Sequence, residues 1–286
     1  MSSLLIRIVF FISAGFLSSA AMANTLHYEA PLHQASWQAQ GSPLVCRLSH
    51  EIGFYGSAEF VRYAGRQMYL SVNVDQGGPR DGKARLRARP AAWQHGLAEQ
   101  NLGAVAYRGG RDPFRFSRKQ VKRILASLEQ GMRPALYYHS GADGIEVVLS
   151  SMKFRDGLAD FRRCMASLIP VDYASASDSR ILFGIGDTLL DKQAKYRLDA
   201  IAAFVVSDPD IKQVEIQGYS DNVGTRGDNY ALSRQRAVAV REYLLGRKVP
   251  AEMIKFDYYG EHKPLKSNRS AAGRAANRRV EVKLQK

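Results

Sequence analysis

The chain has 286 residues, of which 45% are hydrophobic and 24% are charged. That length suits one large domain or two ordinary ones, and the composition excludes a disordered, collagenous or disulfide-dense chain. The formal net charge of +14 is the unusual property. It predicts a partner that carries negative charge, such as nucleic acid, a membrane surface or an anionic polymer.

The first 23 residues have the layout of a secretory signal peptide. Arg7 supplies a positive charge, residues 8–17 form a short apolar stretch, and residues 21–23 read Ala-Met-Ala, a small-x-small cleavage motif. We therefore predict cleavage before Asn24. An uncleaved anchor is the alternative, although the apolar stretch is shorter than the roughly 20 residues that a membrane-spanning helix needs.

Export changes the interpretation of the positive charge, because an exported protein is not expected to meet nucleic acid. Basic residues are concentrated in two runs, at residues 83–89 and 115–123. Each run is interpreted either as a solvated face or as a patch for another anionic partner.

Cys46 and Cys164 are the only cysteines, and they lie 118 residues apart. In the oxidising compartment that export predicts, they are expected to form a disulfide. A catalytic thiol is the alternative, but no histidine base for it is identifiable in the sequence. The six histidines lack the spacing of metal ligands, so neither a metal site nor a cofactor is predicted.

Residues 24–172 are rich in short β-like runs and predict a mainly antiparallel β domain with one or two helices. Two hairpins are expected, the first over residues 58–74 and the second over residues 135–149. Ser117 is positioned to cap a helix that ends before Gly131. A second helix, over residues 156–168, is expected to carry Cys164.

Residues 173–179 are polar and are predicted to be a linker to a second domain over residues 180–286. The second domain alternates between strand and helix patterns in the order β-α-β-α-β-β, which predicts a compact α/β fold. Thr188 is the expected cap of its first helix, and the second helix is expected over residues 229–245. The predicted strands are residues 180–183, 213–218, 254–259 and 280–284.

Arg236 is the one charged residue near the centre of the apolar stripe of the helix at 229–245. A charge that points toward a core needs a partner, because an unpaired buried charge is very costly. Asp221 follows the preceding strand and is the nearby candidate. The two residues therefore form either a structural ion pair or part of a binding site.

The sequence around this pair resembles the OmpA-like peptidoglycan-binding domain, and the resemblance covers about residues 180–286. Tyr219 and Ser220 replace the histidine and threonine usual in the family, so the rim of the pocket is expected to differ. The remaining residues of the family pattern are present at Gly218, Asp221, Gly224, Asn229, Leu232, Ser233, Arg236, Ala237, Gly260, Glu261, Pro264, Asn268, Gly273, Arg274, Asn277, Arg278, Arg279 and Val280.

The resemblance implies recognition of diaminopimelate in the peptidoglycan stem peptide. Asp221 is expected to hold the ammonium group of that residue and Arg236 its carboxylate, which a guanidinium can grip with two hydrogen bonds. Asn229, Asn277 and Arg278 are expected to make further contacts. The sequence contains no recognisable set of groups for cutting the glycan or its peptides, so binding rather than catalysis is expected.

The first domain resembles the N-terminal domain of the MotY family of periplasmic flagellar-motor proteins. The resemblance implies that the first domain docks on the flagellar basal body, at its outer-membrane side, and that the second domain holds the cell wall. Together the two domains would help to keep stator units in place. The resemblance also implies two partners, a MotX-like protein and the periplasmic domain of a stator subunit. A general envelope tether without a motor role is the alternative. The likeness is carried by Tyr28, Pro31, Trp37, residues 46–52, 55–60 and 90–93, and the two cysteines.

Overall fold

The structure is a computed structural model that describes residues 25–75 and 79–286. The predicted signal peptide, residues 1–23, lies outside these ranges. Within them, every helix is too short or too polar to cross a membrane.

The N-terminal half combines short strands with two helices, α1 and α2. A capping box begins α1, because Ser117 Oγ accepts from the backbone of Gln120 and the Gln120 side chain accepts from the backbone of Ser117. The elements in chain order are β1 (Thr25–Tyr28), β2 (Gln38–Ser42), β3 (Val45–Ile52), β4 (Gly56–Tyr63), β5 (Tyr69–Val74), β6 (Gly82–Arg89), β7 (Gln100–Tyr107), β8 (Phe114–Arg115), α1 (Arg118–Glu129), β9 (Arg133–Ser140), β10 (Asp143–Val148) and α2 (Phe154–Ala166).

These strands form two sheets, one of six strands in the order β1-β10-β9-β6-β7-β8 and one of four in the order β2-β3-β4-β5. All neighbouring strands are antiparallel except β1, which runs parallel to β10. The predicted mainly antiparallel domain is confirmed, as are both hairpins, β4–β5 and β9–β10. The two predicted helices are also present, and α2 starts two residues earlier than expected.

Both sheets and both helices contribute to one core, in which Trp37 packs against Phe60 and Phe154. The predicted disulfide between Cys46 on β3 and Cys164 on α2 is present in this core. It joins a strand near the start of the described chain to the last helix of the N-terminal half.

The C-terminal half forms a four-stranded sheet in the order β11-β14-β12-β13, with β12 and β13 parallel and the other pairs antiparallel. A 3₁₀ turn at Ala251–Met253 precedes β13. The predicted α/β class is confirmed. The elements are α3 (Tyr173–Ser177), β11 (Asp178–Leu182), α4 (Lys192–Ser207), β12 (Gln213–Gly218), α5 (Arg226–Gly246), β13 (Ile254–Tyr258), α6 (Ala271–Asn277) and β14 (Arg279–Gln285).

Three local expectations for this half require correction. The expected linker at residues 173–179 forms α3 and the start of β11, because Asp172 caps the helix and Ala176 is buried in the second core. The cap of α4 is Asp191 rather than Thr188, since the Asp191 carboxylate accepts from the backbone of Ala194 at 2.7 Å. Helix α6 adds an element to the predicted order.

Helices α4 and α5 pack on one face of this sheet around a continuous apolar core. The contact between α5 and β12 is very close at Gly218, where an added Cβ would overlap the backbone oxygen of Ser233. Glycine is required there because any side chain would push α5 away from the sheet. This close packing directs Arg236 of α5 toward the end of the sheet.

Candidate functional site

Three chain segments meet at one end of the C-terminal sheet. Strand β12 ends at Gly218 and leads to Asp221, β11 ends at Leu182 and leads to a loop, and β14 begins just after Arg278. Because β14 runs antiparallel to both neighbours, Gly218 pairs with Val280 and Leu182 pairs with Arg279. The strand register therefore brings together residues that are far apart in the sequence.

Asp221 and Arg278 form an ion pair at this end of the sheet. Arg278 Nη1 donates to Asp221 Oδ2 at 2.9 Å, and the two side chains retain 12% and 8% of their solvent exposure. The backbone NH of Val223 donates to Asp221 Oδ1 at 3.2 Å, and Arg278 Nε donates to the carbonyl oxygen of Phe183 at 3.2 Å. The pair is thus fixed in orientation but still reaches the surface.

Arg236 lies behind this pair and has no solvent-exposed surface. Its guanidinium donates to three backbone carbonyl oxygens, those of Asp187 and Gly184 at 2.9 Å and that of Tyr219 at 3.3 Å. It also lies over the ring of Phe183, 5.2 Å from its centroid.

Burial lowers the pKa of Arg236 to about 10, and the neighbouring charge of Asp221 opposes this change. Arg236 is therefore still protonated at neutral pH. It places a fixed positive charge beneath Asp221 and holds the loop that follows β11.

Arg236 was expected to grip a ligand carboxylate directly and to pair with Asp221. In the structure its guanidinium makes three hydrogen bonds to backbone carbonyls and is buried, whereas Asp221 is hydrogen-bonded to Arg278. The predicted direct pairing of Arg236 with Asp221 is corrected on this point. Arg278, predicted as a further contact, is the guanidinium that reaches the surface.

The two asparagines predicted as further ligand contacts are also buried. Asn277 has no exposed surface, and its amide group bonds to the backbone of Lys266 and to the Asn268 side chain. Asn229 donates to Glu261 Oε2 at 2.8 Å. Both residues tie the segment after β13 to the helices in this structure, and their contact with a ligand stays a prediction.

The two residues that depart from the family pattern have different environments. Tyr219 is buried, stacks on Tyr259 and lies beneath the Arg279 guanidinium, 3.9 Å from its ring centroid. Burial raises the pKa of the Tyr219 hydroxyl to about 12. Ser220 is buried beside Asp221, and no hydrogen-bond partner for its hydroxyl exists among the described residues. Tyr219 therefore does not form the rim that the substitution predicted.

Sequence reasoning missed the loop after β11, whose carbonyl oxygens at Gly184 and Asp187 receive Arg236 and whose Phe183 oxygen receives Arg278. These are backbone groups, so residue types in this loop carry no direct signal of their role. The only available signal was the requirement that a buried arginine be fully hydrogen-bonded.

Known proteins match both halves of the chain. The sequence profile of the MotY N-terminal domain matches residues 28–170, and that of the OmpA family matches residues 182–278. The sodium-type flagellar protein MotY of Vibrio parahaemolyticus (serotype O3:K6, strain RIMD 2210633) is 27% identical over 285 residues, which cover 96% of this chain and 97% of that protein.

Two further proteins resemble the C-terminal half alone. The peptidoglycan-binding protein ArfA of Mycobacterium tuberculosis (strain H37Rv) is 38% identical over 117 residues, which cover 41% of this chain and 29% of ArfA. The crystal structure of the peptidoglycan-associated lipoprotein from Burkholderia pseudomallei covers 37% of this chain and 89% of its own, with 29% identity and a TM-score of 0.36.

The match to the MotY N-terminal domain spans half of the chain, and the OmpA match contains the ion pair and the buried arginine described above. The chain belongs to the MotY family, and its C-terminal domain belongs to the OmpA family.

Proposed function

We propose that this protein is a periplasmic flagellar-motor component that binds peptidoglycan and helps to hold stator units around the basal body. The observation that carries the wall-binding part is the Asp221–Arg278 pair at the open end of the OmpA-family sheet, with the charge of Arg236 beneath it. Membership of the MotY family and the relative named as a flagellar protein support the motor part.

The proposed ligand is the diaminopimelate residue of the stem peptide, which carries an ammonium and a carboxylate on one carbon. These two charges replace the internal ion pair: the ammonium meets the carboxylate of Asp221, and the ligand carboxylate meets the guanidinium of Arg278. One internal charged hydrogen bond is thereby exchanged for two with the ligand, and such bonds are the stronger class. Arg236 acts as a positioning residue, since its hydrogen bonds to the carbonyl oxygens of Gly184 and Asp187 hold the neighbouring loop.

Co-sedimentation of the mature full-length protein with purified sacculi tests this assignment. Asp221→Asn and Arg278→Gln each remove one charged hydrogen bond, worth about 1.5–3 kcal/mol, so we expect binding to weaken roughly 10- to 100-fold. Lys192→Gln, an exposed change at the start of α4, is the matched control and is expected to bind like the wild type. Undiminished pelleting of both Asp221→Asn and Arg278→Gln would refute the site.

The protein is proposed to bind the wall without cutting it. Incubation of sacculi with the wild type should release no soluble muropeptides above the buffer control, as measured by chromatography of the supernatant. Release that disappears in a variant of this protein would replace the binding role with an enzymatic one.

The motor role requires a test in cells. A stator delivers torque only against a fixed body, and a chain with one wall-binding and one motor-binding domain raises the effective concentration of anchored parts near the rotor. Deletion is expected to abolish swimming in soft agar while flagella are still assembled. Normal swimming would leave the general envelope tether as the function. Copurification with a MotX-like protein and with the periplasmic domain of a stator subunit tests the proposed partners.

A further inference from the structure

Helix α1 presents a row of basic side chains to solvent, which we name the α1 basic face: Arg118, Lys119, Lys122 and Arg123. At 100° per residue these four positions fall within one arc, opposite the buried Val121, Ile124 and Leu128. The apolar side of the helix fixes its orientation in the core. All four charges therefore point outward together.

This charge arrangement opposes helix stability. Two of the four residues, Arg118 and Lys119, lie in the first turn, where the helix dipole disfavours positive charge, and that turn contains no acidic residue. Arg118 with Lys122, and Lys119 with Arg123, are like-charged neighbours four residues apart, which repel each other. The basic face is therefore not explained by the folding of α1.

Other long helices of the protein begin with acidic residues that match the dipole. Asp156 lies in the first turn of α2, Asp191 caps α4 and Asp228 lies in the first turn of α5. Helix α1 has the uncharged cap Ser117 instead. The same chain thus uses the favourable arrangement elsewhere, and α1 is the exception.

The charges of the α1 basic face are also uncompensated. None of its four side chains lies within ion-pair distance of an acidic group in residues 25–75 and 79–286, although Arg87 and Arg162 do pair, with Glu99 and Glu129. Arg123 donates only to the backbone oxygen of Asn101. The face therefore carries four positive charges available to a partner.

Three kinds of partner fit positive charge, and the structure favours one of them. A membrane surface is disfavoured because α1 itself carries none of the large hydrophobic side chains that are exposed in the described residues. A second copy is disfavoured because the chain as a whole carries a net charge of +14. An acidic protein surface remains, and an arginine can grip its carboxylates with two hydrogen bonds.

We propose that the α1 basic face is a docking surface for an acidic protein of the motor. The inference deepens the proposed function and rests on it for the cellular location of the partner. It assigns docking to the N-terminal half and leaves wall binding to the Asp221–Arg278 edge, so the two activities are separable by mutation.

The test is the triple variant Arg118→Glu, Lys119→Glu and Lys122→Glu in the full-length protein. Its control is Lys192→Glu, Lys195→Glu and Lys255→Glu, which makes the same change in net charge at exposed positions of the C-terminal half. In a deletion strain, we expect the α1 variant to lose its fluorescent foci at the flagellar base and its swimming, and the control to keep both. Sacculus binding in vitro is expected to persist in both.

Misfolding of the α1 variant is excluded by a second readout. Acidic residues in the first turn of α1 match the dipole, so its thermal midpoint is expected to equal or exceed that of the wild type. Retention of foci and swimming by this variant would overturn the proposal. If deletion of the whole protein leaves swimming intact, the motor role fails instead, and the binding assay below still decides the surface.

Two binding assays distinguish a carboxylate-rich protein partner from a lipid surface. The first uses poly-L-glutamate and the second uses phosphatidylglycerol vesicles. We expect the wild type to bind polyglutamate, the α1 variant to bind it at least about tenfold more weakly, and the control to lose less. Binding of the wild type to vesicles but not to polyglutamate, with loss in the α1 variant, would overturn the proposal in favour of a membrane surface.

Discussion

The N-terminal core encloses a disulfide and a group of packed aromatic rings, whereas the C-terminal core has no cysteine and its largest fully buried side chain is that of Arg236. In the first core, a covalent bond limits the conformational freedom of the unfolded chain. In the second, a buried charge is held by backbone carbonyls. The same chain therefore contains a half that depends on oxidation and a half that depends on a polar network.

This difference matches the roles proposed for the two halves. A domain that docks a partner through charged side chains needs a rigid base, and the Cys46–Cys164 bond secures α2 against β3. A domain that exchanges an internal ion pair for a ligand needs fixed charges near its surface, and Arg236 supplies one without reaching solvent. The disulfide and the hydrogen-bonded Arg236 are expected to be lost under different conditions, so each can be removed by mutation while the other is kept.

Removal of the disulfide is expected to have the largest effect. The bond closes a loop of 118 residues, and its loss in a Cys46→Ala, Cys164→Ala variant is expected to cost about 4–5 kcal/mol of unfolding free energy by the chain-entropy argument. Both tryptophans lie in the N-terminal half, so tryptophan fluorescence during urea unfolding reports that half. Hydrogen exchange of the backbone amides in α4 and α5, measured across the same urea series, should keep its midpoint. An unchanged fluorescence midpoint, with or without reductant, would contradict the comparison.

Removal of the buried guanidinium should have the next largest effect, in the other half. Arg236→Ala leaves the carbonyl oxygens of Gly184, Asp187 and Tyr219 without their donor, and we expect a loss of about 3–5 kcal/mol. The midpoint of hydrogen exchange in α4 and α5 should fall and the tryptophan fluorescence midpoint should not. Arg234→Ala, an exposed change on the same helix, is the control and is expected to shift stability by no more than about 0.5 kcal/mol.

Most of the fold could be predicted because its signals are local. The cap at Ser117, the glycine after α1 and the alternating hairpin strands each lie within a few residues of the element that they define. Helices α3 and α6 were missed because they have five and seven residues, too few to show a helical period. Their caps, Asp172 and Ser270, were the available signals.

The sequence predicted which residues lie at the candidate site but not which of them contact one another. The motif located Asp221, Arg236 and Arg278, and the apolar stripe of α5 correctly indicated that Arg236 points inward. The partner of Arg236 could not be inferred, because it consists of backbone oxygens up to 52 residues away in a loop without a distinctive pattern. The side-chain contacts and burial in the structure show that Arg278 reaches Asp221 while Arg236 does not reach the surface.

The smallest expected effects come from the helix caps, and they offer the finest test of whether the two halves unfold independently. Ser117 caps α1 and Thr225 caps α5, each through a side-chain oxygen that accepts from a backbone NH in the first turn. Ser117→Ala and Thr225→Ala should each cost about 1 kcal/mol. The first should move only the fluorescence midpoint and the second only the midpoint of hydrogen exchange in α4 and α5. Equal movement of both midpoints by either change would mean that the halves unfold as one cooperative unit, so that each device stabilises the whole protein.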